Sequence, residues 1–155
     1  MTESIESRLA ALGITLPKPA VPAANYVPFV ITGRLLVISG QLPMGPDGLA
    51  YKGKLGREFD VAAGKDAARL CAINILAQAK AALNGALHRL TRCVRLGGFV
   101  NAVEDFTEHP AVINGASDLI AQVMGEAGRH ARAATGAGSL PFGAAVEIDA
   151  IFEIA

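Results

Sequence analysis

The sequence predicts an α+β fold, a two-layer sandwich in which two helices cover one face of a mostly antiparallel sheet. Residues 60–84 and 110–127 carry apolar side chains at the i, i+3, i+4, i+7 spacing of amphipathic helices. Extended segments precede, separate and follow them, and the last of these, 144–154, alternates along its length with the period of a strand. The predicted order is β-β-α-β-α-β-β, and a single helical layer leaves the other face of the sheet bare.

The remaining elements follow from local signals. Residues 26–38 read as two strands joined by a tight turn at Thr32-Gly33, and 131–137 as another extended segment. Residues 92–103 form a predicted strand with Val94, Leu96, Gly98 and Val100 on one side. At the front, Thr2 caps a predicted short helix that Gly13 ends. We therefore expect an N-terminal helical arm over 1–17 and a single domain over 18–155.

Composition narrows the class of function. Fourteen basic residues balance fourteen acidic ones, hydrophobic residues make up 52% of the 155, and the mean hydropathy is +0.38. Such a chain is not disordered, and zero net charge disfavours indiscriminate nucleic-acid binding, which relies on excess Lys and Arg. A small domain with so few charges covers apolar surface with copies of itself or presents it to a ligand. The composition therefore predicts an oligomer.

The chain lacks several common signals. It contains no run of the ~20 apolar residues that a membrane helix requires, and its charged first turns do not suit a signal peptide. Cys71 and Cys93 form no CxxC pattern and read as core residues of a protein from a reducing compartment. HExxH and the glycine-rich nucleotide motifs are also missing. We expect a cytoplasmic protein with no metal and no cofactor.

Arg132 is the first candidate for a ligand site, because it enters a predicted strand among small residues and arginine grips carboxylates through two parallel hydrogen bonds. The alternative is a surface or interface arginine paired with a glutamate.

Glu147 follows fifteen residues later on the polar side of its strand, where it holds a water if that face is buried. The alternative is a solvated strand face. His130 is either a proton shuttle or a structural histidine. Arg89, Arg92 and Arg95 form a basic cluster that favours a solvated or interface patch over an RNA site.

Three ordered blocks resemble the RidA/YjgF-like family, also called endoribonuclease L-PSP proteins. In the closing block, Ala131-Arg132, Leu140-Pro141 and 146–151 match the family's P-A-R, L-P and IEIEAIA pattern without a gap. At the front, Tyr26, Gly33 and 39–43 match its P-Y…G…SGQ-P stretch. In the middle, 98–100, Asp105-Phe106 and 112–114 match V-F-V…DF…VN.

This resemblance implies a chorismate-mutase-like fold assembled as a homotrimer, with ligand clefts between neighbouring subunits. It implies that Arg132 binds a substrate carboxylate and that Glu147 positions the attacking water. Tyr26 and the backbone at Ser39 and Gly40 line the cleft. The implied activity is cofactor-free hydrolysis of enamine and imine intermediates, such as 2-aminoacrylate, to 2-keto acids and ammonia.

The chain departs from the family pattern beside its arginine. The family's proline is His130 here, its cysteine is Ala134, and the region around 49–60 and the stretch ahead of Arg132 are longer. The segments 114–118 and 125–130 indicate a divergent, less characterised subgroup, and Asn114 and His130 are its candidate substrate-binding residues. Three functions follow, in order of preference: an imine deaminase, a trimeric binding protein for small carboxylate metabolites that does not turn them over, and a ribonuclease.

Overall fold

Five strands build one twisted sheet in a computed structural model that describes residues 3–155. The strands are β1 (Phe29–Thr32), β2 (Leu35–Gln41), β5 (Leu90–Asn101), β6 (Ala131–Ala137) and β7 (Val146–Ile154), in the order β1-β2-β7-β5-β6. A separate hairpin pairs β3 (Met44–Gly45) with β4 (Gly48–Leu49). Three of the four pairings in the sheet are antiparallel, and β6 runs parallel to β5. The predicted mostly antiparallel sheet and its element order are confirmed.

Two long helices form the second layer. They are α2 (Val61–Ala82) and α3 (His109–Met124), close to the predicted segments. The carboxylate of Asp60 caps α2 by accepting a 2.9 Å hydrogen bond from the amide of Ala63. The two helices approach closely because Gly115 of α3 lies against the Lys65 carbonyl, where a side chain would overlap backbone atoms. Small residues thus let both helices pack tightly on each other and on the sheet.

Strand β7 shows how the sheet separates its two sides. Its residues alternate strictly between buried and half-buried from Val146 to Ile154, as the sequence pattern predicts. The prediction for the partner strand β5 is wrong at one residue. Val94 is 37% exposed, because the register with β7 shifts between Cys93 and Arg95 and turns Val94 out of the core.

A short helix, α1 (Ile5–Ala11), opens the described chain. Its N-cap is Ser4, whose hydroxyl accepts a 3.0 Å hydrogen bond from the amide of Ser7, whereas the predicted cap Thr2 lies outside the described residues. Ile5 and Leu9 of α1 are buried in the same hydrophobic core that holds Cys71 and Cys93. None of the helices within 3–155 is long and apolar enough to cross a membrane.

The face of the sheet turned away from α2 and α3 carries exposed apolar side chains. Leu35 and Val37 of β2 and Phe99 of β5 are 37–39% exposed there. On the covered face, by contrast, Leu36, Ile38 and Leu96 are at most 1% exposed. The bare face that the layer count predicts is therefore present, and below it is called the open face.

Candidate functional site

Arg132 lies on the edge strand β6 and points to the side that α3 covers. Its register partner in β5 is Leu96, which is fully buried beneath the helices. Its Nη1 donates a 3.0 Å hydrogen bond to Ser117 Oγ, and its Nη2 donates a 3.2 Å hydrogen bond to the carbonyl of Pro110. A guanidinium has five N–H donors, so three have no partner among residues 3–155 and can serve a ligand. Arg132 is thus held against α3 and keeps N–H groups that can bind a ligand.

His130 extends this arrangement behind Ser117. Its Nδ1 lies 2.6 Å from the carbonyl oxygen of Gly128, and its Nε2 lies 2.8 Å from Ser117 Oγ. Because a carbonyl only accepts, Nδ1 carries a proton, and in the neutral ring Nε2 accepts from the serine hydroxyl. A chain of hydrogen bonds therefore runs from Arg132 through Ser117 to His130. The histidine supports the arginine through Ser117.

Asn114 completes the group on α3. Pro110, Asn114 and Ser117 are spaced i, i+4 and i+7, which places them on one face of the helix, and Asn114 is exposed. We call Arg132, Ser117, His130 and Asn114 the arginine cluster. It combines a half-buried cation with an exposed amide, a pair suited to a carboxylate that carries a polar neighbour.

Glu147 lies on the other side of the sheet. It sits on β7 opposite Phe99 of β5 and is half-buried on the open face. Burial raises the pKa of its carboxyl above the ordinary value, and the negative charge of Asp149 raises it further. Burial also raises the pKa of Asp149, although Arg95, 3.5 Å away, lowers it in part. No hydrogen bond or ion pair joins the Glu147 side chain to the rest of residues 3–155.

Gly40 of the neighbouring strand β2 lies against Glu147, Ser39 precedes Gly40 in the chain, and Tyr26 lines the same cavity as Gly40. Gly40 falls where the β2–β7 register is irregular, and a methyl group on it would overlap the carboxylate of Glu147. Ser39 Oγ donates a 2.7 Å hydrogen bond to the carbonyl of Val27, which ties down the segment that carries the half-exposed Tyr26. We call Glu147, Gly40, Ser39 and Tyr26 the glutamate cluster.

The predicted site residues thus form two groups. The arginine cluster lies beside α3 at the β6 edge, and the glutamate cluster lies on the open face of β2 and β7, with the sheet between them. Arg132 and Glu147 are not brought together within one chain. The sequence pattern alone does not reveal Ser117, because a lone serine inside an amphipathic helix carries no recognisable motif.

The remaining candidates for chemistry are dispersed. Arg89 Nε donates to the carbonyl of Ala155, Arg92 donates to that of Arg129, and Arg95 pairs with Asp149, so the three point to different partners. No group of three or more His, Cys, Asp or Glu residues placed to hold a metal ion occurs within the described part of the chain. The two cysteines are free and buried.

Comparisons with known proteins define the class. The family described as "YjgF/chorismate_mutase-like, putative endoribonuclease" matches residues 6–152. The chain belongs to this family, and the resemblance seen in its three sequence blocks is confirmed together with its fold.

Particular relatives cover nearly the whole chain. It is 50% identical to Protein TCP17 of Trypanosoma cruzi over 151 residues, which are 97% of this chain and 94% of that protein. It is 60% identical to the Agrobacterium tumefaciens protein Atu1372, of unknown function, whose crystal structure superposes with a TM-score of 0.92 over 97% of this chain and 92% of that one. RidA from an Antarctic Psychrobacter bacterium is 30% identical, with a TM-score of 0.60 over 90% and 96%. The chain is therefore nearer to the first two than to RidA itself, in agreement with a divergent subgroup.

Proposed function

We propose that this protein hydrolyses reactive imines and enamines of amino acids to 2-keto acids and ammonia, at clefts between the subunits of a homotrimer. The observation that carries the proposal is the separation of the two clusters by the sheet. A carboxylate anchor and a candidate water-positioning group that cannot meet within one chain can meet when the β6 edge of one subunit packs against the open face of the next.

The open face supports such packing. Its exposed Leu35, Val37 and Phe99 form apolar surface on the same face as Glu147, and Phe99 lies directly opposite it. An interface that joins two different surfaces of the same chain is heterologous, and such an interface makes a closed ring when its rotation closes. A threefold ring is the assembly that the resemblance implies. In it, each subunit lends its arginine cluster to one neighbour and its glutamate cluster to the other.

The chemistry requires little beyond positioning. Arg132 holds the carboxylate of a 2-imino acid with its free N–H groups. Glu147 accepts a hydrogen bond from a water molecule and removes its proton as the oxygen bonds to C2, while the imine nitrogen takes up a proton. In the tetrahedral carbinolamine the amino group then takes up the proton held by Glu147 and the hydroxyl loses its proton to solvent. The C–N bond breaks, and ammonia and the 2-keto acid are released. A glutamate whose pKa is raised is a stronger base at neutral pH than an ordinary one. No cofactor enters these steps.

The second candidate is a trimeric protein that binds small carboxylate metabolites without turning them over. The arginine cluster favours it, because Arg132 is fully oriented by Ser117 and the Pro110 carbonyl without help from Glu147. A ribonuclease ranks third, since Arg89, Arg92 and Arg95 face different partners and the net charge is zero. We also propose a cytoplasmic setting, which suits two free cysteines.

The test is to generate 2-iminopropanoate and 2-iminobutanoate in situ and follow their decay. Wild type is expected to accelerate the decay above buffer, and Arg132→Ala to lower kcat/KM by at least about a hundredfold, because the carboxylate loses its charged partner. Arg129→Ala, which removes a nearby exposed arginine, is the matched control and should keep wild-type activity. Decay at the buffer rate with wild type would refute the deaminase. Binding of 2-oxobutanoate that Arg132→Ala abolishes would then support the binding protein.

A further inference from the structure

A cavity of about 540 Å³ opens beside the glutamate cluster. Its lining is mainly apolar and comes from the segment before β1, the end of β2, the β3–β4 hairpin and the turn before β7. The apolar lining residues include Val21, Pro28, Leu42, Met44, Leu49 and Phe142. Pockets for small ligands span roughly 300–1,000 Å³ and are lined mostly by apolar side chains. This cavity therefore has the size and lining of a ligand pocket.

Buried polar side chains hold one wall of this cavity in place. Gln78 of α2 is 1% exposed and donates a 2.9 Å hydrogen bond to the carbonyl of Ala20, which anchors the extended segment 20–23 over the cavity. Gln41 is 6% exposed, and its Nε2 donates to the carbonyl of Ser39 at 3.0 Å. Because a buried amide without a partner is costly, these two glutamines fix the wall against the end of β2.

The cavity adjoins the group that would deliver water. Gly40 and Tyr26, both of the glutamate cluster, also line the cavity. Gly40 touches Glu147 so closely that a side chain at this position would overlap the carboxylate. A substrate whose C2 lies at Glu147 has its carboxylate on one side of C2 and its amino-acid side chain on the other. In the proposed trimer the substrate carboxylate binds Arg132 of the neighbouring subunit, so the substrate side chain points into this cavity.

We propose that this cavity receives a bulky apolar side chain, so that the preferred substrates are 2-imino acids derived from branched-chain or aromatic amino acids. The inference rests on the proposed function. A methyl group, as in 2-iminopropanoate, leaves most of the cavity filled with water. A branched chain replaces that water and buries several methylene equivalents, each of which raises affinity about fourfold.

Among the described residues that line the cavity, Lys52 is the one that carries a charge. Its stem lies 3.4 Å from the position that a side chain on Gly143 would occupy, so its methylenes pack against the turn before β7. Lys52 itself is exposed, so its ammonium reaches solvent at the rim. An acidic substrate side chain is the competing occupant, and the experiment includes it.

The experiment compares kcat/KM for three imines made in situ by amino-acid oxidases: 2-imino-4-methylpentanoate, 2-iminopropanoate and 2-iminoglutarate. We expect the leucine-derived imine to exceed the alanine-derived one by at least about tenfold, since it buries three further carbons. Equal or lower efficiency with the leucine-derived imine would overturn the proposal. A preference for 2-iminoglutarate would overturn it in favour of Lys52 as an anion partner.

Ala23→Phe and Ala24→Phe form a matched pair. Both residues are exposed, but only Ala23 lines the cavity. Filling the cavity with Ala23→Phe should lower kcat/KM for the leucine-derived imine about tenfold and leave the alanine-derived imine within about twofold. Ala24→Phe should change neither. Equal losses for both imines in Ala23→Phe would contradict a side-chain pocket.

Binding separates this inference from the proposed function. If no imine is turned over, the deaminase fails, and the dissociation constants of 4-methyl-2-oxopentanoate and pyruvate still test the cavity. Tighter binding of the branched keto acid, weakened by Ala23→Phe and unchanged by Ala24→Phe, would support the cavity without catalysis. Equal or tighter binding of pyruvate would overturn it.

Discussion

The two clusters differ in whether their charged side chain finds hydrogen-bond partners within its own chain. Arg132 is oriented by two hydrogen bonds, and Ser117 behind it is oriented by His130, so the proposed carboxylate anchor is ordered without a ligand. Glu147 has no hydrogen-bond partner within 3–155, and burial raises the pKa of its carboxyl. Binding groups profit from preorganisation, whereas a base must stay free to exchange a proton. The contrast predicts that substitutions in the two clusters affect different kinetic constants.

Glu147→Gln should have the largest effect, and it tests whether the two clusters govern different kinetic constants. The amide fills the same space but cannot remove a proton, so kcat should fall about a hundredfold while KM stays within about threefold. Steady-state kinetics with an in situ imine measure both constants. A change confined to KM would place Glu147 in binding and remove the contrast.

The pH dependence of wild type offers a second measurement on the same residue. In its proposed role as a base Glu147 must be ionised, so kcat should fall as the pH drops through its pKa, which lies above the ordinary glutamate value. Asp149→Asn removes a negative charge that raises this pKa, so the acidic limb should move to lower pH. A limb that stays in place or moves to higher pH in Asp149→Asn would contradict this account of the pKa.

Gly40→Ala should have a smaller effect that separates activity from stability. The added methyl group displaces the end of a flexible glutamate side chain, which costs little, so the free energy of unfolding should change by less than about 1 kcal/mol. Because the carboxylate moves, kcat should drop about tenfold. Gly45→Ala is the control, since a side chain there meets only ordinary contacts. Full activity in Gly40→Ala would show that the position of Glu147 is unimportant.

Ser117→Ala should have the smallest effect, and it should change the affinity for the carboxylate rather than kcat. Without the hydroxyl, the guanidinium loses one of its two hydrogen bonds and carboxylate binding weakens about fivefold, with kcat nearly unchanged. Ser117→Thr keeps the hydroxyl and should restore the affinity. Calorimetric titration with 2-oxobutanoate measures both variants. Equal weakening in alanine and threonine variants would point to packing of α3 instead of the hydrogen bond.

Much of the fold could be predicted because burial imposes a period on the sequence. The alternation from Val146 to Ile154 and the apolar faces of α2 and α3 follow directly from which side chains meet the core. The exception in β5 has a local cause. A register shift between Cys93 and Arg95 reverses which side of the sheet Val94 occupies, and the residue types in that stretch do not indicate the shift.

The candidate site could be predicted only in part, because its residues are distant in sequence. Motif spacing identifies Arg132 and Glu147 but cannot tell which face of the sheet each one occupies. The faces depend on β6 pairing in parallel with β5, which places Arg132 beside Leu96 under the helices. Ser117 becomes visible only when α3 packs beside β6 and brings its hydroxyl to the guanidinium.

The central claim is that each site joins the arginine cluster of one subunit to the glutamate cluster of the next. Mixed oligomers of Arg132→Ala and Glu147→Gln, formed by refolding the two chains together, test it most directly. Half of the chains keep each cluster, so about a quarter of the sites in random ring assemblies regain both intact clusters. We expect about a quarter of wild-type imine hydrolysis from two variants that are each nearly inactive. Activity no higher than that of the separate variants, in mixed oligomers verified by differently tagged chains, would contradict it.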